Sequence, residues 1–210
     1  MFVEALTPPI QDLLATLGQQ PWLREYYLAG GTAAALQLGH RLSVDLDFFT
    51  PQELDTRTLI QHLSQLGSLT VDREDWGTLI GALRGVRVSF FTYEYPLLEP
   101  TVDFEGVTLA SLVDIGLMKI TAIAQRGGRR DFIDLYLICK EVISLRELLS
   151  RLAEKFVGVN YNLCHILRSL VYFEDAEMEP LPQLLKPLEW STITAYFERE
   201  VKFLSRDWLR

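Results

Sequence analysis

Two aspartates, Asp45 and Asp47, are separated by one leucine in the segment VDLDFFT, which is otherwise rich in β-forming residues. Strand side chains alternate between two faces, so both carboxylates project from one face, about 6–7 Å apart. Such close negative charges raise each other's pKa unless a cation lies between them. Mg²⁺, or Mn²⁺ in its place, prefers carboxylate oxygen and keeps positions for water and phosphate. The pair predicts a metal site; a solvated strand face is the alternative.

A glycine turn precedes this strand. It consists of Gly30, Gly31 and Thr32, about fourteen residues before Asp45. Glycine backbone can approach a ligand closely, and the first N–H groups of a following helix point outward. A phosphate placed at this turn would meet both the helix dipole and any metal held by the aspartates. A tight turn without a ligand is the alternative.

The loop between that helix and the strand, GHRLSV, carries two further polar residues. Arg41 is suited to bidentate contact with phosphate, and Ser43 is suited to helix capping. Both residues are therefore placed for phosphate or capping contacts beside the glycine turn.

A second group of charged residues lies in MKITAIAQRGGRRDFIDLYLI. Lys119 and Arg126 are seven residues apart, so they share one face of a helix and each could reach a triphosphate. Asp131 and Asp134 are three residues apart and share a face of the following helix. The alternatives are an ordinary basic helix end and, for Asp131, a helix cap or a pair with a neighbouring arginine.

The composition indicates an ordinary globular protein. The chain has 210 residues, of which 49% are hydrophobic and 23% charged. Its formal net charge of −8 argues against a broad basic surface that binds nucleic acid, although a local basic cleft is compatible with this charge. No apolar run is long enough to span a bilayer, and the N-terminus lacks a signal-peptide pattern. We therefore expect no membrane partner and a cytoplasmic location.

The pattern of elements predicts an α+β fold, with a small mixed β-sheet core and flanking helices, followed by a helical portion. We expect the α/β core over residues 1–110 and the helical portion, packed on that core, over residues 111–210. The second helix is expected to begin at Thr32 and the third at Pro51. Strands are expected at 44–50, 68–75, 77–85 and 86–96.

The stretch YYLAGGTAAALQLGHRLSVDLDFF resembles the signature of the DNA polymerase β-like nucleotidyltransferase superfamily, specifically its branch of bacterial AbiEii/AbiGii-type toxins. The resemblance covers roughly residues 22 to 140. It implies that the glycine turn holds nucleotide phosphates and that Asp45 and Asp47 hold Mg²⁺. It also implies that Lys119 and Asp131 belong to the active centre, and that branch carries a basic cluster, which here comprises Arg126, Arg129 and Arg130.

One position departs from the pattern that the resemblance implies. Superfamily members usually carry a third acidic residue on a later strand, where it helps to bind metal and accepts the proton of the attacking hydroxyl. The matching strand here is VRVSFFTYEYP, and the matching position is Ser89. Either another acid, with Asp131 first, takes this role, or catalysis is weakened or lost.

The expected function is Mg²⁺-dependent transfer of a nucleoside monophosphate from an NTP to a hydroxyl of RNA, such as tRNA, or of a protein. A cognate antitoxin is an expected partner of a toxin-like member. The alternative is a non-catalytic member of the same fold that binds a nucleotide or a partner protein, and Ser89 favours it.

Overall fold

A computed structural model describes residues 1–208. The chain divides into two compact units, Met1–Ser111 and Leu112–Arg210. The first unit contains all the strands of the described residues, and the second is helical.

The first unit begins with a 3₁₀ turn at Val3–Ala5 and has another at Pro21–Glu25. Its regular elements are α1 (Pro8–Gly18), β1 (Tyr27–Leu28), α2 (Gly30–Leu38), β2 (Asp45–Thr50), α3 (Thr56–Leu66), β3 (Leu69–Asp75), β4 (Thr78–Leu83), β5 (Val86–Thr92), β6 (Val102–Phe104) and β7 (Val107–Leu109).

The second unit contains only helices and loops in the described residues. These helices are α4 (Leu112–Arg126), α5 (Arg129–Glu141), α6 (Leu145–Ser150), α7 (Leu152–Lys155), α8 (Leu163–Ser169), α9 (Glu174–Met178) and α10 (Trp190–Trp208). None of the helices within residues 1–208 combines the length and apolar character needed to cross a membrane.

The strands form one sheet in the order β3-β4-β5-β2-β1-β7-β6. The pairs β2–β5 and β1–β7 are parallel, and the other neighbours are antiparallel. The predicted mixed sheet with flanking helices is thereby confirmed. The central strand of the sheet, β2, is the strand that carries the two aspartates.

Strand β2 separates a buried face from a partly exposed one. Leu46 and Phe48 are fully buried, whereas Asp45, Asp47 and Phe49 are partly exposed. On the buried face, the Phe48 ring stacks on Phe90 of β5 with 5.0 Å between centroids. Core packing therefore fixes the register, because a one-residue shift would bury both carboxylates.

Two predicted helix starts are wrong. Helix α2 begins at Gly30, two residues before Thr32, and its N-cap residue is Ala29, which has extended backbone. Helix α3 begins at Thr56 rather than at Pro51, because Asp55 caps it and accepts the Thr58 N–H at 3.1 Å. In both cases a local capping or turn geometry overrides the residue that the pattern favoured.

The second unit has an aromatic core and a buried ion pair. Phe132 of α5 is fully buried and packs edge-on against Phe197 of α10, with centroids 5.4 Å apart. Lys155 donates to Asp114 at 2.8 Å, and both side chains are inaccessible to solvent. Burial lowers the Lys155 pKa, and the hydrogen bond from Lys155 to Asp114 opposes this effect.

Phe48→Ala tests the buried face of β2. We expect it to lower the free energy of unfolding by about 3–5 kcal/mol, because it removes a fully buried ring and leaves a cavity. Urea denaturation monitored by circular dichroism measures this loss. Phe203→Ala is the control, since that ring is 53% exposed, and its expected change is within about 0.5 kcal/mol. Equal losses in the two variants would contradict the assignment of this face to the core.

Candidate functional site

The glycine turn lies directly against the carboxylate of Asp47. A Cβ atom built on Gly30 would lie 3.1 Å from Asp47 Oδ2, and Gly30 has a left-handed φ of +64°. The preceding residue, Ala29, donates its N–H to the Asp47 carbonyl at 3.0 Å. The close approach of Asp47 and the left-handed backbone therefore both require glycine at position 30. The hydrogen bond from Ala29 holds the turn next to Asp47 on the sheet.

Thr32 is part of the scaffold of this turn. Its side chain is buried, and its hydroxyl bonds to the Asp45 carbonyl and, at 2.7 Å, to the Ser43 hydroxyl. A carbonyl can only accept, so the Thr32 hydrogen goes to Asp45 and Ser43 supplies the other. A phosphate would therefore meet the backbone N–H of Thr32, one of those without a partner in the first turn of a helix, rather than its hydroxyl.

Arg41 lies beside the second glycine. A Cβ atom on Gly31 would be 3.4 Å from the Arg41 Cζ and closer still to one of its terminal nitrogens. Arg41 is 2% exposed as a whole residue, and its Nη1 donates to the Leu42 carbonyl at 3.1 Å. The loop predicted to contact phosphate or cap the helix thus places a cation at the N-terminal turn of α2.

The neighbouring strand completes the surroundings of the aspartates. In the β2–β5 register, Asp47 pairs with Ser89 and Asp45 pairs with Arg87. Ser89 is buried, and it stands where an acid adjacent to Asp47 would have to lie. Arg87 is exposed and was not singled out from the sequence, because its position beside Asp45 depends on the pairing register of two distant strands.

The first unit offers two carboxylates to a metal. Across residues 1–208, no group of three or more His, Cys, Asp or Glu side chains is arranged to hold an ion. Asp45 and Asp47 nevertheless fit Mg²⁺, which is commonly bound by one or two carboxylates together with water and substrate phosphates. They would be the residues that hold it, with the glycine turn adjacent.

In the second unit, Lys119 of α4 lies between two carboxylates of α5. Its Nζ is 2.6 Å from Asp131 Oδ1 and 2.7 Å from Asp134 Oδ2. Arg126 approaches Asp131 from the other side, with Nε 2.9 Å from Oδ2 and Nη2 3.2 Å from Oδ1. The structure therefore brings the four residues predicted on two helix faces into one cluster with no net charge.

The ionisation of Asp131 follows from these partners. Burial alone would raise the Asp131 pKa, but the charge of Lys119 and the hydrogen bonds and charge of Arg126 outweigh it and hold the pKa below its usual value. At neutral pH, Asp131 is a carboxylate whose two oxygens both accept hydrogen bonds from cations. Of the alternatives, the pair with a neighbouring arginine is present, in the bonds from Arg126, and the N-cap residue of α5 is Gly128.

The neighbouring Arg129 has a different role. Its Nε donates to the Ala176 carbonyl at 2.6 Å, and its guanidinium lies over the Trp190 ring, 5.0 Å from the centroid. Its backbone N–H donates to Glu179 at 2.8 Å. The basic stretch therefore contains one arginine that ties helices together and another, Arg126, that faces Asp131.

Gly30→Ala tests the contact between the turn and Asp47. The new Cβ should displace the Asp47 carboxylate and weaken Mn²⁺ binding, measured by isothermal titration calorimetry. Gly85→Ala is the matched control, since Gly85 also has a positive φ, of +80°, but nothing lies within 4 Å of its Cβ position. Both variants should lose about 1–2 kcal/mol of stability for left-handed backbone. Equal Mn²⁺ affinities would contradict the proposed contact.

Lys119→Met tests the buried cluster. The variant leaves Asp131 and Asp134 without their shared cation, and we expect a loss of about 3–5 kcal/mol at pH 7. The folded-state pKa of Asp131 is lowered, so its contribution is present above the usual carboxyl pKa of about 4 and is lost as pH falls through the lowered value.

The stability difference between this variant and the unmodified protein should therefore shrink as the pH is lowered below about 4, which urea denaturation at several pH values measures. Lys186→Met is the control, because Lys186 is 41% exposed and 3.5 Å from Glu141. We expect a change below about 1 kcal/mol there. A deficit in Lys119→Met that is independent of pH would contradict the ionic role.

Comparisons with known proteins agree with this architecture. A protein of Aquifex aeolicus (strain VF5) is 39% identical over 183 residues, covering 85% of this chain and 87% of that protein. The structure of MenT4, a nucleotidyltransferase toxin from Mycobacterium tuberculosis H37Rv, matches with a TM-score of 0.59 and 16% identity. That match covers 94% of this chain and 82% of MenT4, and it shows a shared fold.

The model of one protein family covers nearly the whole chain. It matches residues 12–204, and its description is nucleotidyl transferase AbiEii toxin of type IV toxin–antitoxin systems. The match includes the glycine turn, both aspartates of β2 and the charged cluster of α4 and α5. The chain belongs to the AbiEii nucleotidyl transferase toxin family.

Proposed function

We propose that this protein transfers a nucleoside monophosphate from an NTP to a hydroxyl group of RNA, such as tRNA, or of a protein, in a Mg²⁺-dependent reaction. The observation that carries the proposal is the contact of the Gly30 turn with the Asp47 carboxylate. It juxtaposes backbone suited to phosphate with side chains suited to a metal. Family membership supports nucleotidyl transfer as the reaction class.

The residues of the first unit would bind and orient the triphosphate. The N–H groups at the start of α2 offer hydrogen bonds to phosphate oxygens, and Gly30 and Gly31 let those oxygens approach the backbone. Asp45 and Asp47 would hold Mg²⁺, which supplies neutralisation of negative charge on the phosphates. Thr32 keeps this turn in place through its bonds to β2.

The family resemblance also implies roles for charged residues of the second unit. Lys119 and Arg126 are cations of the kind that suits phosphate, and the family resemblance implies that Lys119 belongs to the active centre. Ser89 cannot act as a carboxylate base, so Asp131 is the residue proposed to accept the proton of the attacking hydroxyl. Both oxygens of Asp131 accept hydrogen bonds from cations, which weakens Asp131 as a base.

A cognate antitoxin is the proposed protein partner, because the family description places its members in type IV toxin–antitoxin systems. We place the reaction in the cytoplasm, where NTPs and tRNA are available. Both statements extend the family assignment to this chain.

Nucleotidyl transfer is tested with the purified protein, Mg²⁺, each labelled NTP in turn, and either total tRNA or a protein extract as acceptor. We expect one NTP to label one acceptor class and the Asp45→Asn/Asp47→Asn variant to label neither. The variant removes both carboxylate charges from the proposed metal site. Equal labelling by the variant and the unmodified protein would overturn the assignment of these aspartates.

Ser89 favours a second candidate, a non-catalytic member that binds a nucleotide or a partner protein. Ser89 is the register neighbour of Asp47, so the position of the third acid holds a hydroxyl. Calorimetric titration with Mg²⁺ and NTP separates the candidates. Binding without any turnover supports the second, and turnover excludes it.

A further inference from the structure

The sheet face that carries Asp45 and Asp47 continues into a group of aromatic side chains. Phe49 follows Asp47 on this face of β2, and Phe91 is its register neighbour on β5. The centroids of the two rings are 5.3 Å apart. Alternate residues of a strand are about 6–7 Å apart, so this ring pair lies one step along the sheet from Asp47, on the side away from Asp45.

This ring pair differs in burial from the pair on the opposite face of the same two strands. Phe48 and Phe90 are also register neighbours, and both are fully buried in the core. Phe49 and Phe91 are partly exposed, and so is Thr78, the register neighbour of Phe91 on β4. The accessible surface therefore extends over three adjacent strands. Accessible aromatic rings beside a few polar groups are typical of a ligand site.

The Phe49 ring is held in one orientation by three aromatic neighbours. Tyr27 stacks on it with 5.9 Å between centroids, and Tyr93 meets it edge-on at 5.6 Å. Phe91 contacts it from β5. A side chain that is already fixed loses little conformational freedom when a flat ligand stacks on it. The ring is thus preorganised for such a ligand.

The order of side chains along this face matches the order of groups in a nucleotide. The Gly30 turn lies against the Asp47 carboxylate, and Phe49 comes next along β2. In an NTP, a single ribose joins the α-phosphate to the base. Phosphates held at the turn and at a metal on Asp47 therefore leave the base within reach of the Phe49 ring. The opposite direction along the sheet leads to Asp45 and Arg87, whose charges suit metal and phosphate.

We propose that Phe49 and Phe91 form the subsite for the base of the nucleotide, which stacks on their exposed surface while the Gly30 turn holds its phosphates. The inference rests on the proposed function, since it requires an NTP at that turn. Every nucleobase has an aromatic face, so stacking on phenylalanine adds affinity without hydrogen bonds to the edge of the base. All the residues of this subsite belong to the first unit.

A comparison of two ligands tests the subsite, because inorganic tripolyphosphate carries the phosphates of an NTP without its ribose and base. Each is titrated calorimetrically into the whole protein with Mg²⁺, alongside nonhydrolysable analogues of the four NTPs. We expect Phe49→Leu to bind the tightest of these analogues roughly 5-fold or more weakly, the lower end of the effect of losing a base–aromatic stack. Its affinity for tripolyphosphate should stay unchanged. Phe49→Tyr retains the ring and should bind both ligands as the unmodified protein does.

Phe104→Leu is the matched control. Phe104 is also partly exposed, but it lies on β6, at the edge of the same sheet and three strands away from β2. This variant should bind both ligands as the unmodified protein does. Unchanged NTP affinity in Phe49→Leu overturns the inference. An equal loss of NTP and tripolyphosphate affinity also overturns it, because the ring would then support the phosphate site rather than the base.

NMR spectroscopy of the unmodified protein provides a direct readout of the stack. We expect nuclear Overhauser effects between protons of the bound base and ring protons of Phe49, whose signals are assigned by their loss in Phe49→Leu. A purely structural role of the ring would give no such effects. Their absence in the NTP complex overturns the inference.

Labelling of an acceptor is measured on the same variants. Transfer by the unmodified protein, together with equal NTP affinity in Phe49→Leu, contradicts this inference alone. Contacts between the base and the Phe49 ring without any transfer contradict the proposed function alone.

Discussion

The approach of Gly30 to the carboxylate of Asp47 is the constraint on which the first unit's site depends. A Cβ atom at that position would lie 3.1 Å from Oδ2, and the residue has a left-handed φ. Ala29 donates to the Asp47 carbonyl, and Thr32 donates to the Asp45 carbonyl. Bonds on both sides of the glycines thus attach the start of α2 to β2, so the helix N-terminus and the carboxylates keep a fixed separation.

The second unit contains a buried cluster of charged side chains. Asp131, Asp134 and Lys119 are nearly inaccessible to solvent, where isolated charges are costly, and they form a cluster with Arg126 that carries no net charge. Such a cluster contributes little net stability compared with apolar packing of the same volume. Arg126 is the one member of this cluster whose side chain reaches solvent, with 69% exposed against 7% or less for the other three.

Local sequence patterns predicted which side chains share one face of a strand or of a helix. The alternation in β2 placed both aspartates on one face, and helical spacing placed Asp131 and Asp134 on another. Contacts across turns were not predictable, because they depend on backbone angles that the pattern does not encode. The meeting of α4 and α5 at Lys119 requires the turn at Gly127, which has a φ of +60°.

The wrong helix start at Thr32 and the missed position of Arg87 also result from contacts between residues that are distant in sequence. Thr32 has the side chain of a good helix cap, but its hydroxyl is used by Asp45 and Ser43, which are distant in sequence. The pairing of Arg87 with Asp45 depends on the register of two strands separated by α3, β3 and β4. Propensity gives the residue types that suit a cap or a strand, whereas tertiary contacts decide which of them is used.

Ser89 is consistent with the charge balance of the sheet. An acid there would place a third carboxylate directly beside Asp47, on the face that already carries Asp45. Without a metal, three carboxylates on that face would repel one another more strongly than two. The two that remain have nearby cations within the same unit, since Arg87 is the register neighbour of Asp45 and Arg41 lies at the turn beside Gly31. In contrast, Asp131 has its own counterions in Lys119 and Arg126, so an acid in that position is accommodated whether or not a metal is bound.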